Sequence, residues 1–585
     1  MQLAHVDSLA LLGLEAVAVR IEVQIARGLP GFHLVGLPAA LVRESRERVR
    51  AALTQSGFAF PQQRLTVNLA PADLPKDSNG LELPIALGIL LASRQLPAHA
   101  LRGIYCLGEL SLGGELQPVR AGFALGLGFA RRLDTWAQAP QSLRSGKLER
   151  PVLLVPPASA ADCARAYGGP VWTAEDLKGL CSALTQTDPS LELHYSEKPE
   201  QATLSVEAQR LNAGFEAGER PVLTRGAAVD LADIRGHALA KMAACVAAAG
   251  GHHLLMIGPP GCGKTMLAQA MAGITPAASE STQREQMALA SLKRARLDIS
   301  AIGRQPVFRQ PHHSASVSAL CGGGSPPRPG EISLAHGGIL FLDELTEFNP
   351  QVLEALREPL QAGCMHLAKG THSAEFPARF QLVAASNPCP CGYASGDSVE
   401  NGAETAGERL NAPGAARERP ASMRCICTPD RLRRYQGRIS GPLLDRIDLQ
   451  VQWSAHTDLP QTSDFAFDWV EPMFAAHGIR HKRLSSEAAL ALAESCRRVQ
   501  LQRQQRLNAH LQGAQLLSLA GIGEAHQPLL KQLAGLGYSQ RAIQGLIRVG
   551  LTLADMFGLP QPDERCLALA SQLRRLPSFE SSRHV

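Results

Sequence analysis

One segment restricts the fold of this chain more than any other. It is GPPGCGKT, which follows the short apolar run HHLLMI and precedes a stretch of helical composition. In such a strand–loop–helix unit, backbone N–H groups of the glycine-rich loop wrap phosphates, and the helix N-terminus favours anions. The sequence therefore predicts a phosphate-binding loop on a parallel α/β sheet. Its residues are Gly258, Pro259, Pro260, Gly261, Cys262, Gly263, Lys264 and Thr265.

A second apolar run ends in an acidic pair that complements this loop. The segment ILFLDE places Asp343 and Glu344 at the end of a predicted strand. We expect Lys264 to reach the β and γ phosphates of ATP, and Thr265 and Asp343 to bind Mg²⁺. Glu344 is then placed to orient and deprotonate the attacking water. A third strand, FQLVAASNP, ends at Asn387, which either positions this water or caps a turn.

The order of strand and helix signals predicts a multidomain α/β chain. At 585 residues the chain is too long for a single hydrophobic core. We expect an α/β domain at 1–180, a polar linker at 181–228, an ATPase core with a parallel sheet at 229–470, and an all-α lid at 471–585. An insertion at 388–428, rich in Gly, Ala, Glu and Arg, interrupts the core.

Composition excludes some classes and leaves others open. Apolar residues make up 45% of the chain and charged residues 19%, which is typical of a folded protein and not of a disordered one. The net charge of +5 neither indicates nor excludes binding to nucleic acid. The first residues lack a secretory leader, and no apolar run is long enough for a membrane span, so we expect a cytoplasmic protein.

Two pairs of cysteines flank the insertion. In a reducing compartment, the 13 cysteines should be thiols or metal ligands. Cys389 and Cys391 follow the third strand, and Cys425 and Cys427 lie at the far end of the insertion. Four thiolates suit a tetrahedral structural Zn²⁺ that closes the neck of the insertion. Unligated thiols and redox-labile pairs are the alternatives.

Several long motifs resemble one bacterial family. They are DIRGHALAKMAACVAAAGGHHLLMIGPPGCGKT, FRQPHHSAS, PGEISLAHGGILFLDE, FPARFQLVAASNPCPCG and SGPLLDRIDL. These segments resemble the ComM/YifB family of magnesium-chelatase-like AAA+ proteins, and the resemblance extends over nearly the whole chain. It implies a homo-oligomeric ring, usually a hexamer, that hydrolyses ATP and acts on single-stranded and branched DNA.

The same resemblance assigns roles to two arginines. Arg446 in SGPLLDRID matches an arginine finger that reaches the ATP site of a neighbouring subunit, and Arg541 in YSQRAIQGLIRV matches a sensor arginine on the lid. An arginine that compensates transition-state charge on the γ-phosphate accelerates hydrolysis by orders of magnitude. The alternative for each is a surface or ion-paired arginine.

The first domain resembles the Lon-type protease fold without its catalytic dyad. The segment LAPADLPKDSNGLELPIALGIL carries the similarity. Its match to the Lon pattern places Gly80 where the nucleophilic serine belongs, and the following GELQPVRAGFALG offers no lysine for the base. Lys76 and Ser78 lie nearby, but close neighbours on one loop rarely reach attack geometry. We therefore expect a role in ring assembly or DNA contact.

Two further segments are candidates for contact with DNA. The segment LREPLQAGCMHLAKGTHSAEFPARF contains a glycine turn and predicts a hairpin that projects toward the pore of a ring. Lys369 is near its tip, beside His366 and His372, where a cation could follow phosphates without reading bases. A solvated surface is the alternative. Upstream, FRQPHHSAS offers Arg309, His312 and His313 for the same channel, although histidines there could equally lie in the core.

Three classes of function follow from these observations. The resemblance favours a DNA helicase that drives branch migration during natural transformation. A chelatase-type ATPase that remodels a protein partner is the second class. A protease or unfoldase is the third, and the missing dyad disfavours it.

Overall fold

The computed structural model describes residues 2–574 with gaps. The segments outside the description are 36–39, 72–79, 139–150, 170, 186–192, 195–228, 294–305, 325–326, 370–371, 395–424, 454–468, 481–483, 524–527, 529–530, 532–533 and 536–537. Most of the predicted linker and insertion, together with Lys76 and Ser78, therefore lie outside the described residues.

The first domain is built on a large mixed sheet. Its strands are β1 (Gln2–Leu12), β2 (Glu15–Ala26), β3 (Gly31–Val35), β4 (Arg64–Ala70), β5 (Ile104–Cys106), β8 (Val152–Leu154), β9 (Val171–Trp172) and β10 (Leu193–His194), while β6 (Glu109–Leu110) and β7 (Leu116–Gln117) form a separate ribbon. The order in the sheet is β10-β9-β8-β5-β1-β2-β4-β3. Its helices are α1 (Ala40–Gln55), α2 (Glu82–Ala92), α3 (Gly122–Gln138), α4 (Pro157–Tyr167) and α5 (Leu177–Thr185).

The alternating pattern in β2 explains how this sheet is buried. Val19, Ile21, Val23 and Ile25 are buried on one face, because alternate residues of a strand point to the same side. The same alternation of apolar and other residues is visible in the sequence. Strand β10 lies inside the predicted linker at 181–228 and pairs with β9. Two paired residues are too few to produce a periodic apolar pattern.

The second sheet is entirely parallel between neighbours. Its strands are β11 (Leu254–Ile257), β12 (Phe308–Arg309), β15 (Ile339–Leu342), β18 (Gln381–Ser386) and β19 (Leu449–Gln452), in the order β12-β15-β18-β11-β19. All residues of β11, β15 and β18 are buried, as expected for a parallel sheet covered on both faces. The predicted parallel core is confirmed.

Helices and two ribbons surround this sheet. The helices are α6 (Ala238–Gly250), α7 (Lys264–Ile274), α8 (Glu280–Lys293), α9 (Val317–Cys321), α10 (Glu331–Leu334), α11 (Pro350–Ala355), α12 (Arg357–Ala362), α13 (Pro429–Gln436) and α14 (Gly441–Leu444). The ribbons are β13 (Gly322–Gly323) with β14 (Arg328–Pro329), and β16 (Cys364–Lys369) with β17 (His372–Pro377). The β16–β17 pair is the predicted hairpin.

The described part of the chain after residue 468 is helical. Its α-helices are α15 (Val470–Ala476), α16 (Ser486–Gln504), α17 (Gly513–Leu519), α18 (Gln540–Phe557) and α19 (Glu564–Gln572). A buried polar cluster joins α18 to the sheet: Asp448 is 2.7 Å from Arg548 Nη2 and 2.9 Å from His252 Nδ1. Burial alone would raise the pKa of Asp448, but these two partners hold it far below its usual range.

The first domain packs directly on the ATPase core. Helix α3 lies against α8, and Arg131 Nη2 is 2.5 Å from Glu285 Oε1. The turn between β1 and β2 abuts the hairpin, since a Cβ at Gly13 would lie 2.7 Å from the carbonyl oxygen of Glu375. A shared apolar cluster fills the contact and contains Leu14, Phe123, Ala124, Leu127, Ala166, Ala288, Leu289, Leu334, Ala374 and Phe376.

No described helix has both the length and the apolar character that a membrane crossing requires.

Candidate functional site

The glycine-rich loop joins β11 to α7, as the sequence predicts. Gly261 and Gly263 have φ angles of 75° and 98°, which side-chain-bearing residues rarely adopt. Gly258 is needed for a different reason, because a Cβ there would lie 2.4 Å from the Cβ of Trp453. The loop conformation therefore depends on glycine at all three positions.

Lys264, at the start of α7, is held inside the loop. Its Nζ donates hydrogen bonds to the carbonyl oxygens of Gly258 and Pro259, at 2.7 and 2.8 Å. Asn387 Oδ1 lies 3.4 Å from the same nitrogen. The residue is 8% exposed, and this burial lowers the pKa of its amine. The sequence-predicted lysine and asparagine are thus brought together.

The predicted metal-binding pair, Thr265 and Asp343, is also assembled. Thr265 Oγ1 donates a hydrogen bond to Asp343 Oδ2 at 2.9 Å, and Asp343 Oδ1 accepts one from the backbone N–H of Glu344 at 3.0 Å. A hydroxyl and a carboxylate side by side are the oxygen ligands that Mg²⁺ takes at such sites. The residues present therefore fit the predicted Mg²⁺.

Parallel strand order explains why these groups meet. Strand β18 lies between β11 and β15, with Met256 opposite Ala385 and Phe341 opposite Val383. Because the strands run in the same direction, their carboxyl ends meet at one edge of the sheet. The glycine loop, the acidic pair and Asn387 each follow one of these ends.

Glu344 is paired with His313, which the sequence analysis assigned to the DNA channel. Its side chain is half exposed, its φ is +52°, and its Oε2 lies 3.2 Å from His313 Nδ1. The rings of His313 and His312 stack with centroids 4.2 Å apart. The loop after β12 reaches this edge because β12 is the neighbour of β15. The structure thus places His313 beside the carboxylate that was predicted to activate water.

The glycine-rich loop packs against Trp453, which is hydrogen-bonded to His237. The sequence analysis did not identify either residue. Trp453 is 3% exposed, and its Nε1 donates a hydrogen bond to His237 Nε2 at 2.9 Å. Burial, followed by the charge of Lys241, lowers the pKa of His237, which favours the neutral ring that this bond requires. The available signal was a tryptophan directly after the segment LQVQ, in which apolar and polar residues alternate.

The four predicted zinc ligands come together. The sulfur atoms of Cys389, Cys391, Cys425 and Cys427 all lie within 4.8 Å of one another. Burial alone would raise the pKa of Cys391, but hydrogen bonds from the backbone N–H groups of Tyr393 and Ile426 and from neighbouring thiols lower it to about 6. Four sulfur donors around one point fit a tetrahedral Zn²⁺.

This cysteine cluster touches the nucleotide loop. Gly392, next to Cys391, has a φ of +88°, and a Cβ there would lie 2.7 Å from Cδ of Pro260. The neck of the insertion and the phosphate-binding loop are therefore in contact. Sequence spacing did not indicate this, because more than a hundred positions separate the two segments.

The two predicted arginines lie near each other. Arg446 donates hydrogen bonds to the carbonyl oxygen of Pro442 and to Gln361 Oε1, both at 2.7 Å. Its pKa is lowered by burial and then by the positive charges of Arg541 and Arg357. Arg541 is exposed in the first turn of α18. The structure therefore brings the finger and sensor candidates to one surface.

The predicted DNA contacts fall into different environments. Lys369 pairs with His372 in the backbone register at the closed end of the hairpin. Arg309 is only 12% exposed in its side chain, and its Nη2 lies 2.6 Å from Glu331 Oε2. His312 Nδ1 lies 2.7 Å from Ser314 Oγ.

Family profiles match most of the chain. The profile "Magnesium chelatase, subunit ChlI" matches residues 230–411 and 408–459, and its C-terminal counterpart matches 483–574. The profile "Subunit ChlI of Mg-chelatase" matches residues 21–132.

Similar proteins match nearly end to end. YifB of Salmonella typhimurium is 36% identical over 561 residues, which cover 95% of this chain and 94% of YifB. The competence protein ComM of Haemophilus influenzae is 35% identical over 580 residues, which cover 98% of each chain. The chain belongs to the ComM/YifB family. This confirms the resemblance seen in its motifs.

Membership of the ComM/YifB family indicates that the nucleotide site belongs to an ATPase. The magnesium-chelatase-like proteins are a family of AAA+ ATPases, which implies ATP and Mg²⁺ as cofactors. The loop, acidic pair and asparagine described above are the groups that such chemistry requires.

Part of this ComM/YifB chain is similar to part of a protease. Lon protease 2 of Bacillus subtilis is 28% identical over 158 residues, which cover 24% of this chain and 28% of the protease. Gly80, at the position expected for a nucleophile, has a φ of +129°, and a Cβ there would lie 3.0 Å from Cγ1 of Val119. Glycine is thus favoured at this position by backbone conformation and by space.

Proposed function

We propose that this protein is a ring-forming, ATP-driven DNA motor. It promotes branch migration while incoming DNA recombines during natural transformation. The observation that carries the DNA part is the similarity to the competence protein ComM over 98% of both chains. The observation that supports the motor is the gathering of Lys264, Thr265, Asp343 and Asn387 at one sheet edge.

The hydrolytic step uses groups already positioned. Lys264 would contact the β and γ phosphates, and Thr265 and Asp343 would hold Mg²⁺, which would supply positive charge to the phosphate oxygens. Glu344 accepts the proton of the attacking water, while Asn387 orients that water by hydrogen bonding. The carboxylate of Glu344 is half exposed at the edge of the sheet, where water has access to it.

A neighbouring subunit completes the site in this proposal. Arg446 acts as the finger and Arg541 as the sensor arginine, and the assembly is a ring, most simply a hexamer. The mutual proximity of the two guanidinium groups supports a common target, because two like charges on one surface are stabilised when they face a polyphosphate.

The hairpin supplies the DNA contact. Lys369 lies at its closed end, whereas Arg309 is paired with Glu331 and His313 lies beside Glu344. These partners make the upstream segment a better candidate for the nucleotide site than for the channel. A cation at a hairpin end follows backbone phosphates without reading sequence.

The cysteine cluster holds a structural Zn²⁺. Cys389, Cys391, Cys425 and Cys427 supply the four sulfur ligands, and the ion fixes the neck of the insertion against the phosphate loop. Its function in this position is to maintain the conformation of the loop.

A chelatase-type ATPase that remodels a protein partner is the second candidate, because the profiles that match the core and the C-terminal region carry the magnesium chelatase name. The DNA motor and the chelatase-type ATPase differ in how their rate of ATP hydrolysis responds to DNA. For the motor, we expect ATP hydrolysis to rise with single-stranded DNA and further with branched DNA.

The variant Lys369→Ala tests this response. It should keep the basal ATPase rate, lose most stimulation by DNA, and lower the salt dependence of DNA binding by a slope of about 1 on logarithmic axes. The exposed Lys178 of α5 provides the control Lys178→Ala, which should behave like the wild type. A wild-type rate that is indifferent to DNA would favour the chelatase-type function.

A further inference from the structure

A second group of metal-binding side chains lies on the β16–β17 hairpin. Cys364 and His366 lie on the same side of β16, because alternate residues of a strand share a face. Glu375 of β17 is directly opposite His366 in the register. The three ligand atoms of Cys364, His366 and Glu375 lie within 4.8 Å of one another.

The imidazole ring is held from both sides. His366 Nε2 is 3.3 Å from Glu375 Oε2, and His366 Nδ1 is 2.5 Å from Oε1 of Glu358 in α12. A histidine that binds a metal through one nitrogen commonly donates the other N–H to a carboxylate, which fixes the ring and increases its basicity. Glu358 is placed for this supporting role when Nε2 is the ligand.

The charges around these groups favour a cation. Glu358 and Glu375 face His366 from two different elements, and the thiol of Cys364 lies 4.0 Å from His366 Nδ1. Arg379 is a basic group near Cys364. A divalent ion would offset the negative charge of Glu358 in α12 and Glu375 in β17.

We propose that Cys364, His366 and Glu375 form a binding site for a divalent transition metal. Thiolate, imidazole and carboxylate together are the donor set of Zn²⁺ and Co²⁺, and three protein ligands leave one position for water. The site shares no ligand with the cluster of Cys389, Cys391, Cys425 and Cys427. The proposed metal site does not depend on whether the protein acts on DNA or on a protein partner.

Metal binding here has a mechanical consequence. The ion connects the two strands of the hairpin, and Glu358 links it to α12. Strand pairs with few partners are only marginally stable by themselves, so an additional crosslink restricts the base of the hairpin. The orientation of its closed end, which carries Lys369, then becomes dependent on metal.

Cobalt titration of the full chain tests the site. Protein stripped of metal is titrated with Co²⁺, and the thiolate-to-cobalt charge-transfer absorption and the bound equivalents are recorded. We expect one more equivalent in the wild type than in Cys364→Ser, His366→Ala or Glu375→Gln. Because the comparison is a difference, it does not require that the four-cysteine cluster be filled.

Two further variants separate coordination from general damage to the hairpin. Glu358→Gln should retain the additional equivalent but weaken its affinity by about ten- to a hundredfold, as expected for a residue that supports a ligand. Glu354→Gln, on the exposed side of α11, is the matched control and should bind like the wild type. If the wild type and His366→Ala bind the same number of equivalents with the same affinity, the proposal is wrong.

Discussion

The two sheets of this protein, one mixed and one parallel, differ in the residues that follow their strands. In the ATPase sheet, three neighbouring strands end in a glycine loop, an acidic pair and an asparagine, all at one edge. In the first domain, the position expected for a nucleophile is Gly80, beside Val119. A sheet covered by helices can therefore be catalytic or non-catalytic. The residues that follow particular strands determine whether it has an active site.

The two regions also differ in what holds them together. The nucleotide site is connected by hydrogen bonds among polar groups, such as Thr265 to Asp343 and Lys264 to Gly258. The contact between the first domain and the core is mainly apolar, with one ion pair between Arg131 and Glu285 at its border. Substitutions in the nucleotide site should accordingly change the turnover of ATP. Substitutions in the contact between the first domain and the core should change the free energy of unfolding.

The largest effects are expected at the nucleotide loop and the acidic pair. Lys264→Ala should weaken ATP binding strongly, because it removes the cation from the phosphates. Glu344→Gln should bind ATP normally and lose turnover by about 10²- to 10⁴-fold, because the amide cannot accept the proton. Nucleotide binding measured beside steady-state hydrolysis checks both, and hydrolysis by Glu344→Gln at the wild-type rate would contradict the assignment.

Arg446→Ala should lower turnover by about a thousandfold and leave the nucleotide affinity of an isolated subunit almost unchanged. The reason is that the arginine acts on the site of a neighbour. Mixing this variant with Lys264→Ala should restore part of the activity, since some interfaces then combine an intact loop with an intact arginine. Full activity of Arg446→Ala in the absence of Lys264→Ala subunits would contradict the role of Arg446 at a neighbour's site, and with it the evidence for a ring.

Replacement of Cys389 and Cys391 by serine should remove about one Zn²⁺ per chain, measured by elemental analysis. Because Gly392 contacts Pro260, we also expect ATP affinity to fall, by less than for Lys264→Ala. Cys566→Ser, at a buried cysteine of α19, provides a control that should retain the metal. Wild-type protein free of zinc with ordinary ATPase activity would contradict a structural ion.

The smallest effects on turnover are expected at the contact between the domains, where stability changes instead. Phe123→Ala removes a side chain that is 6% exposed in the shared apolar cluster, and should cost about 3–5 kcal/mol. Arg131→Ala breaks a partly exposed ion pair, and should cost less than about 1 kcal/mol. Unfolding in urea distinguishes the two, and equal costs would show that the contact is not mainly apolar.

The sequence was most informative where chemistry is local. The loop at 258–265, the pair Asp343 and Glu344, and the alternation in β2 are each contained in one short segment, so their residue types suffice to predict them. The parallel order of strands then brings Asn387 to Lys264 without further information.

Contacts between distant segments could not be predicted in this way. His313 meets Glu344 because β12 is the neighbour of β15, and Trp453 supports Gly258 across almost two hundred positions. The docking of α3 on α8 uses alanines and single apolar residues that suit any helix surface. A single sequence contains no marker for such pairings, since they arise only from tertiary packing.

In the proposed function, ATP hydrolysis at this site moves branched DNA. Its most direct test is migration of a preformed, labelled branched junction by the full chain, with ATP, followed in parallel for the wild type and Glu344→Gln. We expect the wild type to move the branch point, and Glu344→Gln to bind the junction and leave it in place. A wild-type protein that forms rings and hydrolyses ATP, yet neither binds nor moves the junction across a range of salt concentrations, would contradict the account.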